Sequence, residues 1–122
     1  MTNSKTLGPI IGERRIDLID ENGVSVGQVI VRLAKPEKIP GEDDFSCGYQ
    51  ILGLGTEAVR TAVGVDAVQA LFLAMTKIGA DLYTSAEAST CKLSWHGDKN
   101  LGFPVFVVLG SFVPGHKEQV VI

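Results

Sequence analysis

Apolar and polar residues alternate with a period of two over residues 13–33, on both sides of the pair Asn22-Gly23. An Asn-Gly pair between two alternating runs is the strongest short-range signal for a β-hairpin. A turn at these residues determines which residues of the two strands face each other. The predicted apolar pairs are Ile16–Val29 and Leu18–Gly27. The predicted pairs on the opposite, solvated face are Glu13–Arg32 and Asp17–Gln28.

Residues 35–44 contain two prolines and a glycine, which predicts a loop. Alternation resumes over residues 45–53 and predicts a third strand whose inward side chains are Phe45, Cys47, Tyr49 and Ile51. The stretch Gly53-Leu54-Gly55-Thr56 then turns the chain. Residues 57–63 fit either a returning strand or a first helical turn. The alternation of Val59, Thr61 and Val63 favours the strand.

Residues 66–83 have the periodicity of an amphipathic helix, with Asp66 as N-cap and Gln69 placed to complete a capping box. The predicted buried face consists of Val68, Leu71, Phe72, Met75, Ile78, Leu82 and Tyr83. The predicted wet face consists of Asp66, Gln69, Thr76, Lys77 and Asp81. Leu73 falls among these polar residues, between Ala70 and Ala80, and is the one residue that does not fit the pattern.

The rest of the chain predicts a short strand at 91–95, a turn at 96–102, an apolar strand at 103–113 and a tail. In the first of these strands, Cys91, Leu93 and Trp95 share one side. Residues 1–12 form a loose lead-in. The order β-β-β-β-α-β-β predicts an α+β two-layer sandwich, a mainly antiparallel sheet with one long helix packed on one face. At 122 residues, the chain is expected to be a single domain, 1–122.

Composition excludes several classes of protein. The chain is 45% hydrophobic and 20% charged, which is typical of a globular protein rather than a disordered or membrane protein. Its net charge is −3 and its basic residues are scattered, so we expect no nucleic-acid partner. The two cysteines form no disulfide framework, and we interpret them as buried free thiols. Because the first residues contain no apolar signal core, we expect a cytoplasmic protein.

The sequence contains no strong motif for a cofactor or a metal. Residues 53–58, Gly-Leu-Gly-Thr-Glu-Ala, match a dinucleotide fingerprint, but the helix begins too late and the flanking strands look antiparallel. The soft metal ligands lack the spacing of a zinc site; they are Cys47, Cys91, His96 and His116. We therefore predict neither a cofactor nor a metal.

Two surfaces are candidates for binding a partner. Leu73 on the wet helix face would form an apolar centre with a polar rim that includes Asp66, Gln69 and Lys77. The alternatives are an ordinary exposed leucine, or a leucine covered by the tail residues Val120, Val121 and Ile122. The second surface is the acidic loop of Glu42, Asp43 and Asp44, which would meet a basic partner or would simply be solvated.

A small pocket is the third candidate. Trp95, His96 and Asp98 lie close together in sequence, with Cys91 behind them, and could hold a small ligand or form a minor active site. The alternative is that Trp95 is a packed core aromatic. A homodimer built on the apolar strand 103–113 is a further alternative.

Two stretches, residues 47–75 and the later Leu93-Ser94-Trp95 with 97–104, resemble a family of small uncharacterised bacterial proteins with a domain of unknown function. The resemblance covers roughly residues 13–104, and its most specific part is Gly-Val-Asp-Ala-Val-Gln-Ala-Leu, 64–71. It implies a fold and a compartment but no activity. Small acidic single-domain proteins of this style are often immunity proteins of toxin systems. The leading expectation is therefore a non-enzymatic protein-binding module, in its most specific form an immunity protein that occludes a bacterial toxin.

Overall fold

A computed structural model describes residues 6–105, and these residues form an α+β fold. A mainly antiparallel sheet of six strands packs against one main helix, so the predicted fold class is confirmed. The elements are β1 (Ile10–Ile19), β2 (Ser25–Ala34), β3 (Glu37–Lys38), β4 (Phe45–Leu52), β5 (Arg60–Gly64), α1 (Ala67–Tyr83), α2 (Ala86–Ser89) and β6 (Leu93–Ser94).

The strands of the sheet follow the order β3-β4-β2-β1-β6, and β5 joins it by pairing with β4. Ser46 of β4 is opposite Glu37 of β3 and also opposite Val63 of β5. A strand has only two edges, so β3 and β5 flank β4 on opposite sides. Within residues 6–105, β5 is therefore an end strand with one open edge.

The predicted hairpin and its register are confirmed. Ile16 pairs with Val29 and both side chains are fully buried, while Glu13 pairs with Arg32 on the outer face. The other two predicted pairs, Leu18–Gly27 and Asp17–Gln28, also form. The turn closes because Asp20 Oδ1 accepts hydrogen bonds from the backbone N–H groups of Asn22 and Val24, at 2.8 and 2.9 Å. Gly23 supplies the positive φ, +79°, that this turn requires.

The third strand and the returning strand are also confirmed. Cys47, Tyr49 and Ile51 of β4 point into the core, as the alternation predicted. In β5 the buried residues are Ala62 and Gly64, whereas Val63 is exposed. A Cβ at Gly64 would lie 2.4 Å from the backbone nitrogen of Ala70. Because position 64 has no side chain, α1 can pack directly on this strand.

The predicted N-terminus of α1 is confirmed. Its predicted buried face is confirmed at Ile78 and Leu82 and wrong at Val68 and Phe72. Asp66 Oδ1 accepts the N–H of Gln69 at 2.8 Å, and Gln69 Oε1 accepts the N–H of Val65, also at 2.8 Å. Val68 is 75% exposed and Phe72 is 40% exposed. The buried residues are Ala70, Ala74, Thr76, Ile78, Gly79 and Leu82. Small side chains let the helix approach the sheet closely. A prediction of the buried face that counts only large apolar residues leaves these small residues out.

Several boundaries differ from the prediction. β1 begins at Ile10, inside the segment assigned to the lead-in, and β3 lies inside the predicted loop 35–44. Residues 103–105 are not in a strand, and the rest of the predicted strand and the tail, 106–122, lie outside the described residues.

Cys91 is exposed, contrary to the prediction that both thiols are buried. The short helix α2 lies in the predicted loop before it, and Cys91 follows the end of this helix with a φ of +61°. The N–H groups of Cys91 and Lys92 bond back to the carbonyls of Ala88 and Glu87, at 3.0 and 2.8 Å. This is a Schellman ending, and it turns the cysteine away from the side of Leu93.

Candidate functional site

A groove runs between the open edge of β5 and the neighbouring side of α1. We call it the edge groove; its volume is about 440 Å³. Tyr49 of β4 contributes to it, β5 and the residue before it form one wall, and the C-terminal half of α1 forms the other. The lining residues are Tyr49, Val59, Arg60, Thr61, Lys77, Ala80 and Asp81.

The backbone of β5 presents hydrogen-bonding groups at the open edge. In an antiparallel strand, alternate residues direct both N–H and C=O away from the paired strand. The carbonyl of Thr61 accepts a hydrogen bond from Lys77 Nζ at 3.3 Å, so Thr61 belongs to the outward set. Val63, two residues further on, belongs to the same set, and its side chain is 50% exposed. The edge therefore offers two outward residues to a further strand.

Tyr49 joins the groove to the core, since its side chain is only 3% exposed. Burial raises the pKa of the Tyr49 phenol, the nearby Asp81 carboxylate raises it further, and Arg60 partly opposes them. The Tyr49 hydroxyl is therefore protonated at neutral pH, and its raised pKa keeps it protonated to a higher pH than the ordinary value of 10.0 would. Tyr49 is therefore a neutral group between two opposite charges.

A second depression, the end cleft, of about 340 Å³, continues past Arg60 and Asp81 toward α2. One wall is the connection between β4 and β5. Glu57 closes this connection: its carboxylate accepts the N–H of Gly53 at 2.6 Å, and its carbonyl accepts a hydrogen bond from Gln50 Nε2 at 2.9 Å. Glu57 has a φ of +60°. The stretch that resembles a dinucleotide fingerprint thus connects two antiparallel strands, and α1 starts only at Ala67.

The predicted contact patch on α1 is not brought together as an exposed apolar centre with a polar rim. Leu73 is half-buried and packs against the hydrophobic core. Asp66 and Gln69 form the N-terminal cap described above. Lys77 is the one predicted partner residue that lines the edge groove. Leu73 is therefore explained by packing, and the accessible polar chemistry lies closer to β5.

The acidic loop is an exposed turn between β3 and β4. The N–H of Ile39 donates to the carbonyl of Asp44, and the N–H of Glu42 donates to the carbonyl of Ile39, at 2.9 and 3.0 Å. The Asp43 carboxylate lies 3.7 Å from Lys38 Nζ, and both side chains are well exposed. An ion pair of this kind contributes little to stability, so these acids are free to meet a partner.

Trp95, His96 and Asp98 form a tight turn and line none of the clefts described above. The N–H of Trp95 donates to the carbonyl of Asp98 at 2.8 Å, and the N–H of Asp98 donates to the carbonyl of Trp95 at 2.9 Å. His96 and Gly97 both have positive φ, +50° and +78°, as in a type I′ turn.

The Trp95 ring is packed rather than open to a ligand. The Arg14 guanidinium carbon lies 3.9 Å from the centre of this ring and 4.8 Å from the centre of the Phe103 ring. Arg14 also donates to the carbonyl of Leu101 at 3.0 Å. This cation–π arrangement supports the interpretation of Trp95 as a packing residue.

Sequence reasoning did not find the groove-lining residues Tyr49, Arg60, Thr61 and Asp81. Tyr49 was predicted only as a core residue, and Asp81 only as part of a wet helix face. Arg60 lies beside Tyr49 because β5 pairs with β4. The sequence alone could not show that these two residues are neighbours, since this pairing has to be known first. Among residues 6–105, no group of three or more His, Cys, Asp or Glu side chains is arranged to hold a metal ion.

Comparison with known proteins identifies the family. No curated protein and no solved structure matches this chain. Within the described part of the chain, no helix is long and apolar enough to cross a membrane. A family model, described as domain of unknown function DUF6968, matches residues 12–105. This agrees with the resemblance found in the sequence, whereas a bacterial origin stays a prediction. Since the match covers well over half of its length, the chain belongs to the DUF6968 family of domains of unknown function.

Proposed function

We propose that this protein is a non-enzymatic protein-binding module that accepts a strand from a partner protein at the edge of β5. The observation that carries the proposal is the open edge, with the outward backbone groups of Thr61 and Val63 beside a groove of about 440 Å³. Strand addition beside a helix is a recurrent mode of peptide recognition. In it, main-chain hydrogen bonds supply affinity and side-chain pockets supply specificity.

The polar groups of the edge groove suit the binding of an extended peptide better than the chemical conversion of a substrate. Lys77 already donates a hydrogen bond to the Thr61 carbonyl. Because this hydrogen bond is exposed, an N–H of the incoming strand would replace it at little cost in free energy. Arg60 and Asp81 place opposite charges in the same groove, where they would select the charges of the partner's side chains. On the other face of β5, Val63 supplies an exposed apolar side chain for a further contact.

The narrower form of the proposal is an immunity protein that meets a bacterial toxin in the cytoplasm. Its support is the analogy with small acidic single-domain proteins, together with the net charge of −3 and the acidic loop, in which Glu42 and Asp43 are exposed and Asp44 is half-buried. These acids would speed association with a basic partner without deciding how long the complex lasts.

The test uses affinity capture from a lysate with three baits: the wild-type chain, Thr61→Pro and Thr61→Val. Proline removes the outward N–H and adds bulk at the edge, yet leaves the pairing with β4 intact. Valine keeps the N–H and is the matched control. We expect a partner to be retained by wild type and Thr61→Val and lost from Thr61→Pro. Thermal melts of all three baits establish that they are folded.

A partner retained equally by all three folded baits would contradict strand addition at β5. Light scattering on the same proteins identifies the case in which the added strand comes from a second copy. In that case the wild type and Thr61→Val would be dimers and Thr61→Pro a monomer. A Leu73→Asp bait is unsuited to this test because Leu73 packs against the core.

A further inference from the structure

The end cleft contains two opposite charges that are not paired with each other. Arg60 of β5 and Asp81 of α1 both line it. Neither residue takes part in an ion pair among residues 6–105, where the acids of the ion pairs are Glu13 and Asp43. Both charges act on the pKa of the Tyr49 phenol, in opposite directions. The cleft therefore presents a free cation and a free anion near one hydroxyl group.

The Tyr49 hydroxyl is itself without a partner in this cleft. Tyr49 is only 3% exposed, yet its hydroxyl forms no hydrogen bond with any of the residues that the structure describes. Every fully shielded side-chain nitrogen or oxygen in that part of the chain does have a partner, so the Tyr49 oxygen must reach the surface. Since Tyr49 lines the end cleft, a ligand bound there would supply the missing hydrogen bond.

The walls of the end cleft are fixed by hydrogen bonds within the chain. The hydrogen bonds of Glu57 described above hold one wall. Near α2, Ser85 Oγ accepts the N–H of Ala88 at 3.1 Å and donates to the carbonyl of Leu82 at 2.6 Å. The volume, about 340 Å³, is within the usual range for a small-molecule pocket. The cleft is therefore a preformed pocket.

Part of the lining is apolar. Ile51 and Leu54 line the end cleft, and both belong to the hydrophobic core or pack against it. A ligand with only a negative charge would be repelled by Asp81, and one with only a positive charge would be repelled by Arg60. The lining therefore suits a small molecule that has both charges and an apolar part.

We propose that the end cleft binds a free α-amino acid with an apolar side chain, such as leucine. Arg60 binds the carboxylate, Asp81 binds the ammonium group, and Tyr49 donates its hydroxyl hydrogen to the carboxylate. Ile51 and Leu54 contact the side chain. The inference goes beyond the proposed function, since it requires no partner strand at β5.

The experiment is an NMR titration of the full chain with three probes. L-leucine has both charges, L-leucine amide lacks the carboxylate, and N-acetyl-L-leucine lacks the ammonium group. The shifts of the backbone amide signals of the cleft-lining residues measure the dissociation constants. We expect leucine to bind about tenfold more tightly than either derivative, because each derivative loses one charge-assisted contact.

Three variants assign the contacts to residues. Arg60→Gln should weaken leucine binding about tenfold and remove the preference for leucine over leucine amide. Asp81→Asn should remove the preference for leucine over N-acetyl-leucine. The matched control is Asp43→Asn, which removes one negative charge from the acidic loop and should leave leucine binding unchanged. The amide spectrum of each variant establishes that it is folded.

Two results would overturn the proposal. One is the absence of any shift of the end-cleft amides with leucine, or equal binding of all three probes. The other is that folded Arg60→Gln and Asp81→Asn proteins keep the preferences of the wild type.

Discussion

The two cysteines differ in their exposure to solvent. Cys47 is fully buried in β4, and its thiol donates to the carbonyl of Ala34 at 3.3 Å. Burial also raises the pKa of the Cys47 thiol, which suppresses the reactive thiolate. Cys91, in the left-handed conformation after α2, is exposed. Only Cys91 is therefore accessible to reagents.

We predict that an aromatic disulfide reagent modifies one thiol per folded chain rapidly and the second only after unfolding. Cys91→Ser should abolish the rapid reaction, because Cys47 is shielded. The measurement is absorbance of the released thiolate against time, with and without denaturant. Rapid reaction of Cys47 in the folded Cys91→Ser protein would show that β4 is less protected than its burial indicates.

At the scale of elements, the fold depends on how closely α1 approaches the sheet. The helix meets the sheet through Ala70 and Ala74, and Gly64 of β5 lies against the backbone of Ala70. This close approach also places Lys77 within hydrogen-bonding distance of Thr61, and so it builds the edge groove. The spacing between β5 and α1 is therefore a property of the site as well as of the core.

Gly64→Ala should destabilise the protein by about 3 kcal/mol, since the added methyl would overlap backbone atoms that have no rotamer to escape into. Gly12→Ala is the matched control: Gly12 is also in a strand, and a Cβ there meets nothing within 4 Å. The control should change the free energy of unfolding by less than about 1 kcal/mol. Urea denaturation of the two variants measures both values. Similar stabilities would mean that α1 can shift outward at little cost.

At the scale of the whole molecule, two buried acidic groups link stability to pH. The pKa values of Cys47 and Tyr49 are both raised in the folded chain, mainly by burial. As pH rises, such groups lose their protons first in the unfolded chain, so ionisation favours unfolding. Their contribution to stability is complete below the ordinary pKa values of 9.0 and 10.0, and it is lost as pH rises through the folded-state values.

We therefore expect the free energy of unfolding to fall as pH rises past the ordinary pKa values of 9.0 and 10.0, and to fall less in Tyr49→Phe than in the wild type. Phenylalanine keeps the ring and removes the ionisable hydroxyl. Chemical denaturation at several pH values gives both curves, and the Cys47 contribution is common to them. Parallel curves would show that ionisation of Tyr49 is no costlier in the folded chain than in the unfolded one.

Local interactions could be predicted from the sequence, because they depend on residues close together in the chain. Asn22-Gly23 determined the turn and, through it, the whole register of β1 with β2. Asp66 and Gln69 determined where α1 begins. Alternation alone identified the inward side chains of β4, including Tyr49. Each of these signals acts over fewer than about ten residues, where backbone sterics and capping hydrogen bonds dominate.

Only the tertiary structure decided what those elements face. The close approach that Gly64 and the alanines allow determines which side of α1 is buried. As a result, Leu73 packs against the core, while Val68 and Phe72 are exposed. The edge groove exists because β5 pairs with β4 alone among the described strands and α1 lies beside it. Sequence spacing could not show this, because strand order and helix placement are set by packing between residues that are distant in the chain.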